Sequence, residues 1–284
     1  MCVIEKIQEL FVNNDYKYGV YAKDLNGNQV KINTNDYFDG IGVAEIFVAV
    51  EYFKQLSLSR INKNDVIKIT KHDVIKNQNT GIIKLLDYDD LNLTSYNLLI
   101  LMLTRNDNYA FNKLIEYLGL CNINATIKEL GFNTQIYNSI DFEKYKSVCK
   151  TTLEESVNLV EKLFKDDIYG GKKIFDILKK SRIEGMVSKA LDDRDIFFRG
   201  STESKLNYVA KKDSFIFWEK DDEHPYDIEN VAFEIDYISN KHYSDYIVSI
   251  FISGFHVPSI NYNCEIYELG SKIIKIVEED LKKK

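Results

Sequence analysis

Proline is nearly absent: two residues in 284. No Gly-, Pro- or Ser-rich linker and no internal repeat interrupts the chain, so long unstructured connections are not expected. Cysteine is also sparse. Cys2, Cys121, Cys149 and Cys264 are far apart with no C-x-x-C pair, which excludes a disulfide framework and fits reduced, partly buried thiols. Only four histidines occur, and His72, His224, His242 and His256 show neither H-x-x-x-H nor H-E-x-x-H spacing, so no metal site is expected. His224 beside Asp221, Asp222 and Glu223 reads as a charged surface turn. Neither G-x-G-x-x-G nor G-x-x-x-x-G-K-[ST] is present, so no nucleotide and no other cofactor is expected. The balance of 37 basic against 44 acidic residues, a net charge of −7, excludes a phosphate-tracking nucleic-acid binder. No apolar run approaches the length needed to span a membrane. Residues 1–12, MCVIEKIQELFV, alternate charged and apolar groups at helical spacing and do not form a signal-peptide core. A cytoplasmic location is the expectation.

What is present is a well-packed chain, 45% hydrophobic and 13% aromatic, long enough for one large domain or two lobes sharing a core. Apolar groups at 3, 4, 7, 10, 11 and 12 predict an amphipathic helix. The runs Gly19–Lys23 and Gln29–Ile32 flank Asn26-Gly27, a hairpin signature. VAEIFVAVEYFKQL, residues 43–56, is apolar on most sides, as in a helix buried between layers. Residues 60–190 show almost no strand pattern but helical periodicity over 95–103, 108–118, 122–130, 152–165 and 171–180. After Asp195 the pattern turns to strands: IFFRG, NYVAKKDSFIFW, NVAFEIDYI and DYIVSIFIS, with a helix from Glu265 to Lys282. The expectation is an α/β (α+β) protein with a five-stranded antiparallel sheet flanked by N- and C-terminal helices. The sheet lobe would comprise residues 1–57 and 192–284, and an all-α lobe residues 58–191.

Three short segments stand out in order. NTNDYFDGIGVAEIFVAVEYF carries Phe38, Gly42 and Glu45 at the start of the buried helix; LTRNDNYAFNKLIEYLG carries Asn106-Asp107-Asn108; and NYVAKKDSFIFW carries Lys212-Asp213-Ser214. Their order, spacing and flanking pattern resemble the S-x-x-K, S-D-N and K-T-G motifs of penicillin-binding and class A β-lactamase-type serine hydrolases. The opening hairpin, the helix after Thr151-Thr152 and the last two strands extend the resemblance over nearly the whole chain. It implies the β-lactamase/transpeptidase-like fold, with the three motifs on one cleft.

The resemblance also implies what is missing. Gly42 stands where the nucleophilic serine would be, Glu45 where its lysine would be, and Asn106 where the proton-relaying serine would be. Glycine has no group to acylate, and an amide does not relay protons at neutral pH. Asp213 would repel a ligand carboxylate, and residues 132–150 lack the E-x-x-L-N pattern that places a deacylating water. No residue is therefore assigned as catalytic. Glu45, Asn106, Asn108, Lys212, Asp213 and Ser214 are the cleft candidates, with Asp107 as a structural motif residue at a helix start. Lys212 reads equally as structural or functional, and a Glu45–Lys212 ion pair is expected across the cleft floor. The reading is a pseudoenzyme that binds a small molecule, a cell-wall-type peptide or a partner protein. Two rivals stay open. One is a divergent hydrolase of β-lactam or peptide amide bonds, acting like a β-lactamase or with Glu45 as general base toward water. The other is a scaffold with no ligand.

Overall fold

A computed structural model describes residues 2–70, 81–86, 90–137, 147–181, 186, 206–215, 231–240, 245–254 and 262–282; for 206–215, 231, 239–240 and 262–264 it describes the backbone alone. The expected IFFRG strand and all four histidines lie outside these residues. So do the charged turn at 221–224 and residues 138–146 of the 132–150 loop.

The chain divides into two compact units: Met1–Phe38 with Thr152–Val160 and Arg182–Lys284, and Asp39–Thr151 with Glu161–Ser181. The boundary after Phe38 comes earlier than the one expected at 57, because the long buried helix belongs with the other helices.

In the first unit, helix α1 (Val3–Glu9) is started by a capping box in which the Glu5 carboxylate accepts the Cys2 N–H at 2.8 Å. Strands β1 (Lys17–Asp24) and β2 (Gln29–Ile32) form the hairpin. Its turn has Gly27 at φ +94, a conformation that suits glycine. The Asp24 carboxylate holds the Asn28 N–H at 2.7 Å and the Asn28 side-chain amide at 2.8 Å. Late in the chain come β8 (Leu206–Phe215), β9 (Val231–Asn240), β10 (Tyr246–Ser253) and the final helix α8 (Tyr262–Leu281). These strands join the hairpin in a five-stranded sheet of order β2-β1-β10-β9-β8, and each ladder is antiparallel.

Strand alternation gives this sheet two faces. One carries Val20, Ala22, Ala232, Ile238, Tyr246, Val248, Ile250 and Ile252, packed with Ile7 and Phe11 at the N-terminus and Ile266, Ile273, Ile274 and Val277 of α8. The other carries Phe233 and Phe251, whose rings meet Phe38 at centroid distances of 4.8 and 5.0 Å. On that face Ser249 also shares a 3.0 Å hydrogen bond with Ser156. Full burial of each such apolar side chain contributes about 1.5–3 kcal/mol.

The second unit is built around α2 (Ile41–Ser57), buried on nearly every side. Packed with it are α3 (Ser95–Arg105), α4 (Asn108–Leu118), α5 (Leu120–Glu129) and α7 (Gly171–Leu178). Helix α6 (Leu153–Lys165) crosses the division between the units. Leu98, Leu99, Met102, Leu103, Phe111, Leu114, Ile123 and Ile127 are fully buried at this core.

This unit is not purely helical, as the periodicities predicted. Strand β4 (Val66–Thr70) pairs with β5 (Asp90–Thr94), and β3 (Phe38–Asp39), β7 (Cys149–Thr151) and β6 (Gln135–Ile136) form a small sheet in the order β3-β7-β6. Two- to five-residue strands leave too little alternation to read, and their partners lie far along the chain. Among the described residues, no helix is long and apolar enough to cross a membrane.

Candidate functional site

Gly42 is the second residue of α2, and the chain is held firmly as it enters that helix. The Asp39 carboxylate accepts the N–H groups of Val148 and Cys149 at 3.1 and 3.0 Å, and the Gly40 N–H donates to the Cys149 carbonyl at 3.2 Å. Burial pushes the Asp39 carboxyl above its ordinary pKa, while the Cys149 N–H, the Ser147 hydroxyl and the Val148 N–H pull it back. Helix α2 itself begins at Gly40 with no side-chain cap, so β7 supplies the anchoring that a capping residue would otherwise give. One turn in, Glu45 is fully buried.

The same helix buries a second carboxylate near its other end. Glu51 accepts hydrogen bonds from the Gln55 amide at 2.7 Å and from the Thr126 hydroxyl at 2.5 Å. The Lys54 ammonium reaches the Thr126 hydroxyl at 2.9 Å and also pairs with Glu129. These contacts join α2 to α5.

The asparagine triplet forms the joint between α3 and α4. Asn106 ends α3 in the left-handed region, at φ 49 and ψ 46. Asp107 then caps α4, and Asn108 is that helix's first residue. Asp107 has no exposure at all, and Asn106 and Asn108 are only 8% and 5% exposed. The Asp107 carboxylate is fully used: one oxygen accepts the Ala110 N–H at 3.2 Å, and the other accepts those of Ile82 and Ile83 at 2.7 and 2.9 Å. It thus ties a preceding loop to the triplet. Gly81 makes that approach possible. It sits at φ +93, and a Cβ there would lie 2.6 Å from the Asp107 Oδ2 and 3.0 Å from its Cα. Asp39 and Gly81 were absent from the candidates read in the sequence. Asp39 had a signal in its place beside Phe38 at the helix entry, whereas Gly81 had none.

Gly42, Glu45, Asn106, Asp107 and Asn108 therefore belong to one unit, where α2 packs against α3 and α4. Lys212, Asp213 and Ser214 belong to the other. Their side chains lie outside the described residues, and with them the expected Glu45–Lys212 pair. Their backbone lies in β8, the end strand of the sheet. The register there is Lys211 opposite Ile235, Lys212 opposite Glu234, and Asp213 opposite Phe233. Among the described residues, no cluster of three or more His, Cys, Asp or Glu side chains is arranged to hold a metal ion.

The profile of the beta-lactamase enzyme family matches residues 3–265. Among solved structures, a class A beta-lactamase from Bacteroides cellulosilyticus is similar at a TM-score of 0.77 and 16% identity, covering 99% of this chain and 98% of that one. A beta-lactamase from Sphaerobacter thermophilus aligns at a TM-score of 0.75 and 15% identity, covering 96% and 95% of the two chains. PBP-A aligns at a TM-score of 0.75 and 17% identity, covering 98% and 96%. At these identities the likeness is one of fold. No curated protein matches the chain.

Proposed function

The chain belongs to the beta-lactamase enzyme family, and from that premise we propose that it is a non-acylating member. It binds a small molecule or a cell-wall-type peptide without forming a covalent ester. The observation that carries this reading is Gly42, the second residue of a firmly anchored buried helix, at the position where the resemblance calls for a serine.

Acylation by this family's chemistry needs an oxygen nucleophile and a neighbouring base to take its proton. Gly42 brings no oxygen, and Glu45 stands at the position of the base. A misplaced alignment would be a simpler explanation if one position alone departed. Three departures at separate motifs, at Gly42, Glu45 and Asn106, weigh against it. The features that remain suit recognition. Asn106 and Asn108 carry amide groups at the joint between α3 and α4, and β8 ends the sheet with a run of charged residues.

The decisive experiment is intact-mass spectrometry after incubation with penicillin G, run beside nitrocefin turnover. The expected result is an unmodified mass and no turnover above buffer. A penicilloyl adduct overturns the reading. Turnover without an adduct would favour the rival hydrolase, in which Glu45 activates water; Glu45→Gln would then abolish that turnover. A thermal-shift screen against cell-wall fragments separates a binder from a scaffold, since a ligand preferring the folded state raises Tm.

A further inference from the structure

Strand β6 ends its small sheet, with β7 on one side and α5 packed nearby. The edge of such a strand presents backbone N–H and C=O groups that a buried position must pair, and Ile136 is buried. Ile136 is opposite Cys149 in the ladder. At this pair both residues turn their backbone groups outward, as alternate pairs of an antiparallel ladder do. On the β6 side one side chain takes both groups. The Asn124 amide donates to the Ile136 carbonyl at 2.7 Å, and its oxygen accepts the Ile136 N–H at 3.0 Å. On the β7 side, Asp39 accepts the Cys149 N–H at 3.0 Å and the Gly40 N–H donates to the Cys149 carbonyl at 3.2 Å. An asparagine side chain has the donor and acceptor of a peptide group, so Asn124 stands in for a neighbouring strand.

The other side of α5 makes a second clasp. Residues two apart on a helix point in different directions, and Thr126 faces α2. Its hydroxyl donates to the buried Glu51 carboxylate at 2.5 Å and accepts from Lys54 at 2.9 Å. Helix α5 therefore reaches α2 twice. Near the far end of α2 it does so directly, through Thr126; at the start it does so through Asn124, β6, β7 and Asp39. These links close a ring inside one compact unit.

We propose that Asn124 is a positioning residue for the first turn of α2, the turn that carries Gly42, and that α5 braces α2 at both ends. Asn124 acts through β6 and β7. Without it the outward groups of Ile136 lose their partners, and the ladder that holds Cys149 against Asp39 and Gly40 loosens with them.

Asn124→Leu keeps a similar volume but pairs with neither group, and it should lower Tm by roughly 3–6 °C. Amide hydrogen exchange separates positioning from general destabilisation. Exchange at Gly40 and Cys149 should accelerate about tenfold more than at Ile83 and Ala110, whose N–H groups Asp107 holds. Equal acceleration at all four amides overturns the proposal. So does an unchanged rate at Gly40 and Cys149. A double-mutant cycle reads the ring itself. Asn124→Leu combined with Asp39→Asn should lower Tm by less than the sum of the single changes. Combined with Tyr117→Phe, which removes a hydroxyl bonded to Asp65 outside the ring, it should add. Additivity with Asp39→Asn breaks the ring.

Asn124→Asp supplies a test that holds even if the leucine variant does not fold. Protonated, the new carboxyl can donate and accept as the amide does; ionised, it can only accept. The folded protein therefore raises its pKa, and its stabilising contribution is complete below about pH 4 and lost as pH rises. Asp39, Glu51, Glu129, Lys54 and Lys150 titrate in both proteins, so the reading is the Tm deficit of the variant against wild type. That deficit should be about 1–2 °C near pH 4 and grow about threefold by pH 7. A deficit that does not change with pH shows that donation to Ile136 is not what position 124 supplies, and the proposal falls.

Discussion

The first turn of α2 and the joint between α3 and α4 are both buried and both firmly anchored, yet they have kept different things. At the joint, Asp107 satisfies three backbone N–H groups at once, and no other residue type would reproduce that set without leaving donors unpaired in the interior. At the helix start, the anchoring comes from Asp39 and the backbone of β7, and Gly42 takes no part in those hydrogen bonds. A residue that holds the backbone is costly to replace. One that only presents a reactive atom is cheap to replace once the reaction is no longer needed. On the non-acylating reading proposed above, this difference is how the fold can persist without the family's acylation chemistry.

The sharpest way to break that comparison is Asp107→Ala. If Asp107 holds the fold, its loss leaves three donors without an acceptor, two of them buried, and destabilises by roughly 3–5 kcal/mol, a fall in Tm of about 10 °C. A near-normal melting curve with loss of ligand binding alone would place Asp107 with the chemistry and remove the contrast. Gly81→Ala should act on the same lock from its other side. A side chain at φ +93 is strained, and the new Cβ would press on the Asp107 backbone as well as its carboxylate. The expected cost is about 2–3 kcal/mol, read by chemical denaturation. Because both changes strike one contact, their combination should cost less than the sum.

Much of this arrangement was legible in the sequence where the cause is local. The Asn26-Gly27 hairpin, the helix over 108–118 and the last three of the expected late strands each carry their own turn, cap or periodicity, and these appear in the structure. The Asp107 cap was implied by the family resemblance, and its Ala110 partner lies only three residues away. The unread parts depend on distant segments. Strand β4 exists because β5 returns to pair with it. The anchor at Asp39 exists because Cys149, 110 residues on, lays its N–H against it. That Lys211 and Lys212 occupy positions on opposite faces of the sheet follows from parity, which only the pairing of β8 with β9 fixes. Adjacent lysines look alike until a partner strand assigns each to a face.

Asp39 offers the finest probe of the helix-start anchor, through pH. Its carboxyl is harder to ionise in the folded protein than in the unfolded chain, chiefly because burial desolvates the charge. A carboxyl with a raised folded pKa contributes stability that is complete below the unfolded carboxylate range, about pH 4. That contribution is lost as pH rises through the folded value. Other groups add their own slopes, so the comparison must be between wild type and Asp39→Asn across the weakly acidic range. The variant should melt lower throughout, because an amide offers one acceptor oxygen where the carboxylate offers two to Val148 and Cys149. The gap between the two proteins should narrow as pH rises, since only wild type loses the Asp39 contribution. A gap that widens with pH would mean that the N–H donors outweigh desolvation. Asp39 would then be a conventional charged anchor like Asp107, and the helix start and the α3–α4 joint would be held by carboxylates of the same kind.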